Sequence, residues 1–196
     1  MQGDDDIDDP LFVTRLRNRD RDAMRKVVSL YLPQTLRAAR ASGLKAQEAE
    51  DVVQSAFAVF IEKIAEFEGR SRIRTWLFGI LYRKIIESGR QAQRARQFDD
   101  VGKADHTRFH PDGTWARPPQ PADMSVYRRE IGKHIGDCLE EVSHNQRMAF
   151  VFREVESLET SEICEILGVS ASNFGVLIHR ARNRLRDCLE AKGIGR

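Results

Sequence analysis

The amino-acid sequence predicts an all-α protein of two small helical domains: an N-terminal helical bundle over residues 10–96 and a C-terminal four-helix domain over 126–192. A flexible linker at 97–125 joins them. Three observations carry that prediction. Apolar residues recur at i, i+3 and i+4 through most of both outer segments. Residues 97–125 lose this period and hold four of the six prolines. Near the C-terminus, two periodic stretches meet at Gly168, with a turn of only a few residues between them.

Residues 1–8 are rich in Asp and are expected to be disordered. Asp9-Pro10 is a helix start, since Pro at the first helical position loses no needed donor. A short helix through Leu11, Phe12 and Leu16 follows. Asn18-Arg19-Asp20 breaks it, and a longer helix carries Met24, Val27, Val28, Tyr31 and Leu36 to about Ser42. Pro33 should kink that helix or mark its weakest point. The next helix, about 46–67, is the most amphipathic of the chain. Val52, Val53, Ala56, Phe57, Phe60, Ile61, Ile64 and Phe67 keep helical spacing, while Glu48, Glu50, Asp51, Glu62 and Glu66 lie mostly elsewhere.

Gly69 closes that helix and Ser71 is placed to cap the next, which begins near Arg72 or Ile73. Ile73, Leu77, Ile80, Leu81 and Ile85 give it a core face. Arg83, Lys84, Glu87 and Arg90 fall on or beside the opposite side. The linker contains His106 and His110, and its Phe109 and Trp115 are odd in a free segment. The second unit begins near Met124 or Ser125. Ile131, Ile135, Cys138, Leu139 and Val142 form one face, Ser143-His144-Asn145 is a break, and Gln146–Glu156 is helical. Thr160 or Ser161 then caps a helix carrying Ile163, Ile166 and Leu167. Gly168 permits a left-handed turn and Ser170 caps the last helix, which stops around Ala191.

Charge is blocked along the chain although the formal net charge is only +2. From Glu48 to Glu68 there are six acids and one Lys; from Arg70 to Arg96 there are eight basic residues and one acid, Glu87. Such blocks indicate surfaces with different partners. Cations beside Trp76 and Tyr82 suit phosphates and unpaired bases. The two helices around Gly168 make a helix-turn-helix, whose second helix enters the DNA major groove; Arg180, Arg182, Arg184 and Arg186 follow on it.

The chain offers no Gly-rich phosphate loop, no nucleophile elbow and no ligand set with metal spacing, so neither an enzyme nor a cofactor is expected. The acidic N-terminus is not a signal peptide, and no apolar run approaches the roughly 18 to 20 residues of a membrane span. Cys138, Cys164 and Cys188 cannot all pair, and none lies in a Cys-x-x-Cys. Buried, unpaired thiols in a reducing cytoplasm are expected. The competing classes are a stand-alone helix-turn-helix regulator, resting on that motif alone, and a metal protein using His106, His110 and the cysteines.

Three ordered segments carry a family likeness: Glu50-Asp51-Val52-Val53-Gln54, Arg74-Thr75-Trp76-Leu77, and His179-Arg180-Ala181-Arg182-Asn183-Arg184-Leu185. Across about residues 10–190 the chain resembles the bacterial extracytoplasmic-function sigma factors of the sigma-70 family, initiation factors of RNA polymerase. The resemblance implies that residues 10–96 are the region 2 domain and 126–192 the region 4 domain. Glu50, Asp51 and Gln54 would dock on the clamp helices of the polymerase β′ subunit, with the β flap as a second polymerase contact. Arg74, Trp76, Arg83, Lys84, Glu87 and Arg90 would melt and read the minus-ten element. Ser170, Ser172, Asn173, His179, Arg180 and Arg182 would read the minus-thirty-five element. The linker would thread toward the polymerase active centre, and a separate anti-sigma protein would control the factor. The chain departs from the family's pattern at Arg83, Gly89 and Gly175-Val176-Leu177, which bears on its base preference.

Overall fold

The computed structural model describes residues 7–93, 132 and 134–194, and among these there is no strand. The N-terminal unit comprises α1 (Pro10–Arg17), α2 (Arg21–Ala41), α3 (Ala46–Lys63), a 3-10 turn (Ile64–Glu66) and α4 (Ile73–Gln93). The C-terminal unit comprises α5 (residues 134–140), α6 (His144–Phe150), a π-helical continuation (Val151–Val155), α7 (Thr160–Leu167) and α8 (Ala171–Ala191). Most of the linker, including His106, Phe109, His110 and Trp115, lies outside the described residues.

Local chemistry sets the helix ends. The Asp9 carboxylate accepts from the Leu11 and Phe12 N–H groups and starts α1. Asp20 caps α2 through the Ala23 N–H at 2.9 Å and pairs with Arg15 at 2.8 Å. These two contacts, the backbone one first, hold its carboxyl below the usual value. α2 continues through Pro33. α3 ends at Lys63, earlier than its apolar period suggests, because the chain tightens into the 3-10 turn that buries Ile64 and Phe67.

Two expectations about α4 and the N-terminus are corrected together. Ile7 is fully buried, and the Asp8 carboxylate accepts from the Ile73 N–H at 2.9 Å. Ile7 and Asp8 are therefore ordered, and α4 is capped from 65 residues upstream rather than by Ser71. Burial of Ile7 supplies the anchor: covering an aliphatic side chain of this size is worth about 1.5–3 kcal/mol. Leu11, by contrast, points outward and is 78% exposed.

In the C-terminal unit, α7 starts one residue early. The Glu162 carboxylate accepts the Glu159 N–H at 2.9 Å, so this acid does the capping expected of Thr160 or Ser161. Thr160 instead accepts from Arg153 through its hydroxyl. Gly168 takes φ 66°, the left-handed turn that a Cβ would disfavour, and the Ser170 hydroxyl accepts from the Asn173 N–H to open α8. The expectation of three unpaired thiols is also corrected. Cys138 and Cys188 form a disulfide across 50 residues, with Cα atoms 5.8 Å apart. α5 folds back on the end of α8, where Cys138, Leu139 and Leu185 are buried together. Sequence spacing gives no sign of that approach. Cys164 keeps a free, half-buried thiol.

The two units share one core. A continuous set of buried apolar residues runs from Phe60, Leu77 and Phe78 into Met148, Phe152, Ile163 and Ile166. Phe78 and Phe152 meet edge-on at 5.8 Å, and Tyr82 lies between Phe152 and His144. α4 is the central element, packed by α3 on one side and α7 on the other.

Candidate nucleic-acid interface

α8 has one buried and one open face. Phe174, Ile178, Ala181 and Leu185 recur at i, i+4, i+7 and i+11 and are buried. At 100° per residue, Asn173, Val176 and Arg180 fall within about 60° of one another on the other side. All three are exposed, as is Ser172 at the helix start. Ser170 is occupied as the N-cap. His179 flanks the open face, half-buried, with its Nδ1 3.2 Å from the Asn183 amide. Arg182 points elsewhere, about 180° from Asn173, and is held by Glu154 at 2.6 Å. Val176 is the residue that counting polar side chains overlooks. At 44% exposure it sits between Asn173 and Arg180, where an apolar group can meet a thymine methyl.

Arg153 fixes the angle between α7 and α8. From the π-helical segment it donates to the Leu158 carbonyl at 3.1 Å and the Thr160 hydroxyl at 2.5 Å, and its guanidinium lies 5.7 Å from the Phe174 ring centroid.

On α4 the expected nucleic-acid residues divide between two faces. Trp76 and Arg83 lie within about 20° of each other, with Glu87 nearby, whereas Arg74 is on the far side of the helix from Arg83. Trp76 is half-buried, its ring packed against Phe60 at 5.3 Å and Phe67 at 5.1 Å. Arg83 is exposed, and Lys84 pairs with Glu87 at 2.8 Å. The Arg90 side chain lies outside the described residues. Arg74 donates to the Glu156 carbonyl at 2.5 Å and covers the Phe78 ring. The acidic face of α3 is open: Glu50, Asp51 and Gln54 are all exposed, with Glu50 bound to Arg40 at 3.2 Å and Asp51 to Gln47 at 3.1 Å.

Sequence reasoning does not anticipate the polar links between the units. The Thr75 hydroxyl donates to the Glu162 carboxylate at 2.8 Å. Tyr82 donates to the Asn145 side-chain oxygen at 3.0 Å. Glu156 has no exposed side-chain surface and receives Arg37 at 3.0 Å. Burial raises its pKa, and the hydrogen bond and charge of Arg37 together with the charge of Arg74 only partly offset that. The Arg147 guanidinium, also buried, donates to the Ser42 carbonyl at 2.9 Å. Among the described residues no group of three or more His, Cys, Asp or Glu is placed to hold a metal ion, and the disulfide removes two of the three cysteines a metal site would need.

The comparisons with known proteins follow the same two units. The family model for sigma-70 region 2 matches residues 27–95, and that for sigma-70 region 4 matches residues 134–185. A probable RNA polymerase sigma factor of Haemophilus influenzae is 31% identical over 156 residues, covering 76% of this chain and 80% of the relative. The chain belongs to the sigma-70 family of RNA polymerase sigma factors. Within it, the chain is an extracytoplasmic-function sigma factor. It is 23% identical over 189 residues to the sigma-E factor of Haemophilus influenzae, across 94% of this chain and 96% of the relative. It is 24% identical over 182 residues to the factor SigW of Bacillus subtilis, across 90% and 94%. Two solved structures share the fold. CnrH in complex with the cytosolic domain of CnrY superposes with TM-score 0.68 at 21% identity, over 94% of this chain and 98% of that one. The sigma factor RpoE of Bartonella quintana, in complex with the anti-sigma factor NepR, gives 0.64 at 24% identity, over 85% and 96%. As a sigma factor, this protein is a transcription initiation factor that directs RNA polymerase to promoter DNA.

Proposed function

We propose that the two units divide promoter recognition as follows. α3 docks on core polymerase through Glu50, Asp51 and Gln54. α4 captures the minus-ten strand, with Trp76 as the stacking platform and Arg83 and Lys84 on phosphates. α8 lies in the major groove of the minus-thirty-five element, with Ser172 and Asn173 on base edges, Val176 against a base methyl and Arg180 on a phosphate. Ser170 starts the reading helix, and His179 and Arg182 supply flanking contacts once Arg182 leaves Glu154. Glu87 and Arg90 border the minus-ten face, whereas Arg74 lies on the far side of α4 from it. The protein works in the cytoplasm, where its polymerase and DNA are. A separate anti-sigma protein controls it, a reading supported by the structure of RpoE of Bartonella quintana in complex with the anti-sigma factor NepR.

The open stripe of Asn173, Val176 and Arg180 on α8 is the observation that carries this reading. Base contacts specify sequence and phosphate contacts position the protein. Alanine at Asn173 should therefore relax preference at one base pair, whereas alanine at Arg180 weakens all sequences alike. Footprinting of the polymerase complex on a mapped promoter tests it; protection at minus thirty-five that survives loss of Asn173, Val176 and Arg180 together overturns it.

A further inference from the structure

We propose that Asp8 is a positioning residue for minus-ten recognition: it holds the loop between α3 and α4, residues 67–72, as one wall of the cleft where Trp76 meets an unpaired base. The inference rests on the minus-ten role of α4 given above.

Beside Trp76 lies a cleft of about 260 Å³. Phe67, Arg70 and Ser71 line it from the loop side, together with the acids Glu66, Glu68 and Glu165. An aromatic face ringed by carboxylates suits a neutral base with an amino edge: the ring stacks and the carboxylates accept.

The loop does little to hold that wall by itself. Residues 67–72 form neither helix nor strand, and Glu68, Arg70 and Arg72 are exposed. Gly69 takes φ 72° with open space where a Cβ would be. The residue before α4 is Arg72, whose side chain carries donors only and so cannot cap the helix. Ile73, which opens α4, is fully buried, so its N–H needs a partner from within the protein.

The N-terminal segment supplies what the loop lacks. The Asp8 carboxylate accepts from the Ile73 N–H at 2.9 Å and lies 4.0 Å from the Arg72 guanidinium. Its negative charge also suits the positive end of the helix dipole. Ile7, buried in the core, fixes the backbone that presents it. Before the loop, Arg19 donates to the Glu62 carbonyl at 3.1 Å, and α1 packs on the 3-10 turn. One stretch of chain, residues 7–19, therefore clamps the loop on both sides, and none of these residues lines the cleft. Asp8 acts on the base only through the loop and touches no nucleic acid itself.

The test uses holoenzyme assembled from core polymerase and the full-length chain. Its binding to a fluorescent forked fragment of a mapped promoter, single-stranded through the minus-ten stretch, is read by anisotropy. The same fragment with permuted minus-ten bases gives the preference, and binding to core polymerase is measured separately. The wild type should prefer the mapped sequence by about tenfold or more. Asp8→Ala should cut that preference below about threefold with core binding unchanged, and Asp8→Asn, whose side-chain oxygen also caps, should restore it to within about twofold. Full preference in Asp8→Ala overturns the proposal and leaves the minus-ten reading intact. Failure of Asp8→Asn to restore it overturns the cap as the cause. Preference and core binding falling together would show a general loss of structure and also overturn it. A wild type without preference overturns the minus-ten role of α4, and the proposal with it. If circular dichroism shows that Asp8→Ala has lost helix, Arg19→Gln releases the other side of the loop and is judged by the same preference and core binding.

Discussion

Arg147 reaches the end of α2 by passing directly over Gly43. Its Nη1 donates to the Ser42 carbonyl at 2.9 Å, and a Cβ on residue 43 would stand 1.9 Å from that nitrogen. Gly43 also has φ 96°, where any side chain is strained. Gly43→Ala should therefore destabilise the protein on two counts, by about 1–3 kcal/mol for the backbone alone and further for the displaced guanidinium. A double-mutant cycle with Arg147→Ala, read by urea unfolding, separates the two. The cost of Gly43→Ala should shrink when Arg147 is already absent; equal costs in both backgrounds would show that the contact carries no energy.

Trp76 is both a proposed base platform and part of a packed trio with Phe60 and Phe67. Trp76→Ala should cost roughly 3 kcal/mol, the low end for losing a large aromatic because the ring is only half-buried. Trp76→Phe should recover most of that stability while promoter melting stays impaired. Thermal unfolding and permanganate reactivity of the minus-ten strand measure the two effects separately. Full melting by Trp76→Phe would leave the ring a purely structural role.

His144 stacks on Tyr82 at 5.8 Å, its outer edge open to solvent and its inner face desolvated near Arg147. Burial first, and the Arg147 charge second, hold its imidazole below the usual pKa. The unfolded chain therefore binds the proton more readily. Stability from this group is complete above about pH 6.5 and is lost as pH falls through the depressed value. Glu156 acts with the opposite sign, since its raised pKa makes the folded form take up a proton above the usual carboxyl range. Urea midpoints should fall between pH 7.5 and 5.5 in the wild type, and His144→Gln should flatten or invert that slope.

The Cys138–Cys188 disulfide closes a loop of 50 residues. On the chain-entropy account this adds at most roughly 4 kcal/mol. Reduction, or Cys138→Ser, should lower the unfolding midpoint of the C-terminal unit and loosen α5. The fully buried site of Cys138 accepts a serine poorly, so Cys188→Ala is the cleaner variant. An unchanged midpoint under a dithiol reductant would contradict the prediction.

Much of this architecture is legible in periodicity and caps. Asp9-Pro10, the core face of α3, the Ile73 to Ile85 stripe and the Gly168 turn each depend on neighbours in sequence, so local chemistry determines them. The features that escape sequence reading depend on distant partners. Asp8 capping α4, Cys138 meeting Cys188 and Glu156 enclosed against Arg37 are separated by 65, 50 and 119 residues. Charge blocks indicate that α4 favours an anion; they do not say that the chain supplies one itself. On α8 the arginines draw the eye to Arg182, yet Glu154 from the π-helical segment of the same unit already holds it. Val176, apolar and therefore passed over, is on the open face.

The central claim is that this chain redirects core RNA polymerase to promoters with two recognition elements. The most direct test is transcription of whole genomic DNA in vitro by core polymerase, with and without the protein, followed by mapping of transcript 5′ ends. The account predicts a new set of start sites that share sequence near minus ten and near minus thirty-five, with the upstream preference altered by Asn173→Ala. Start sites unchanged by the protein, together with no binding to core polymerase at micromolar concentration, would contradict it.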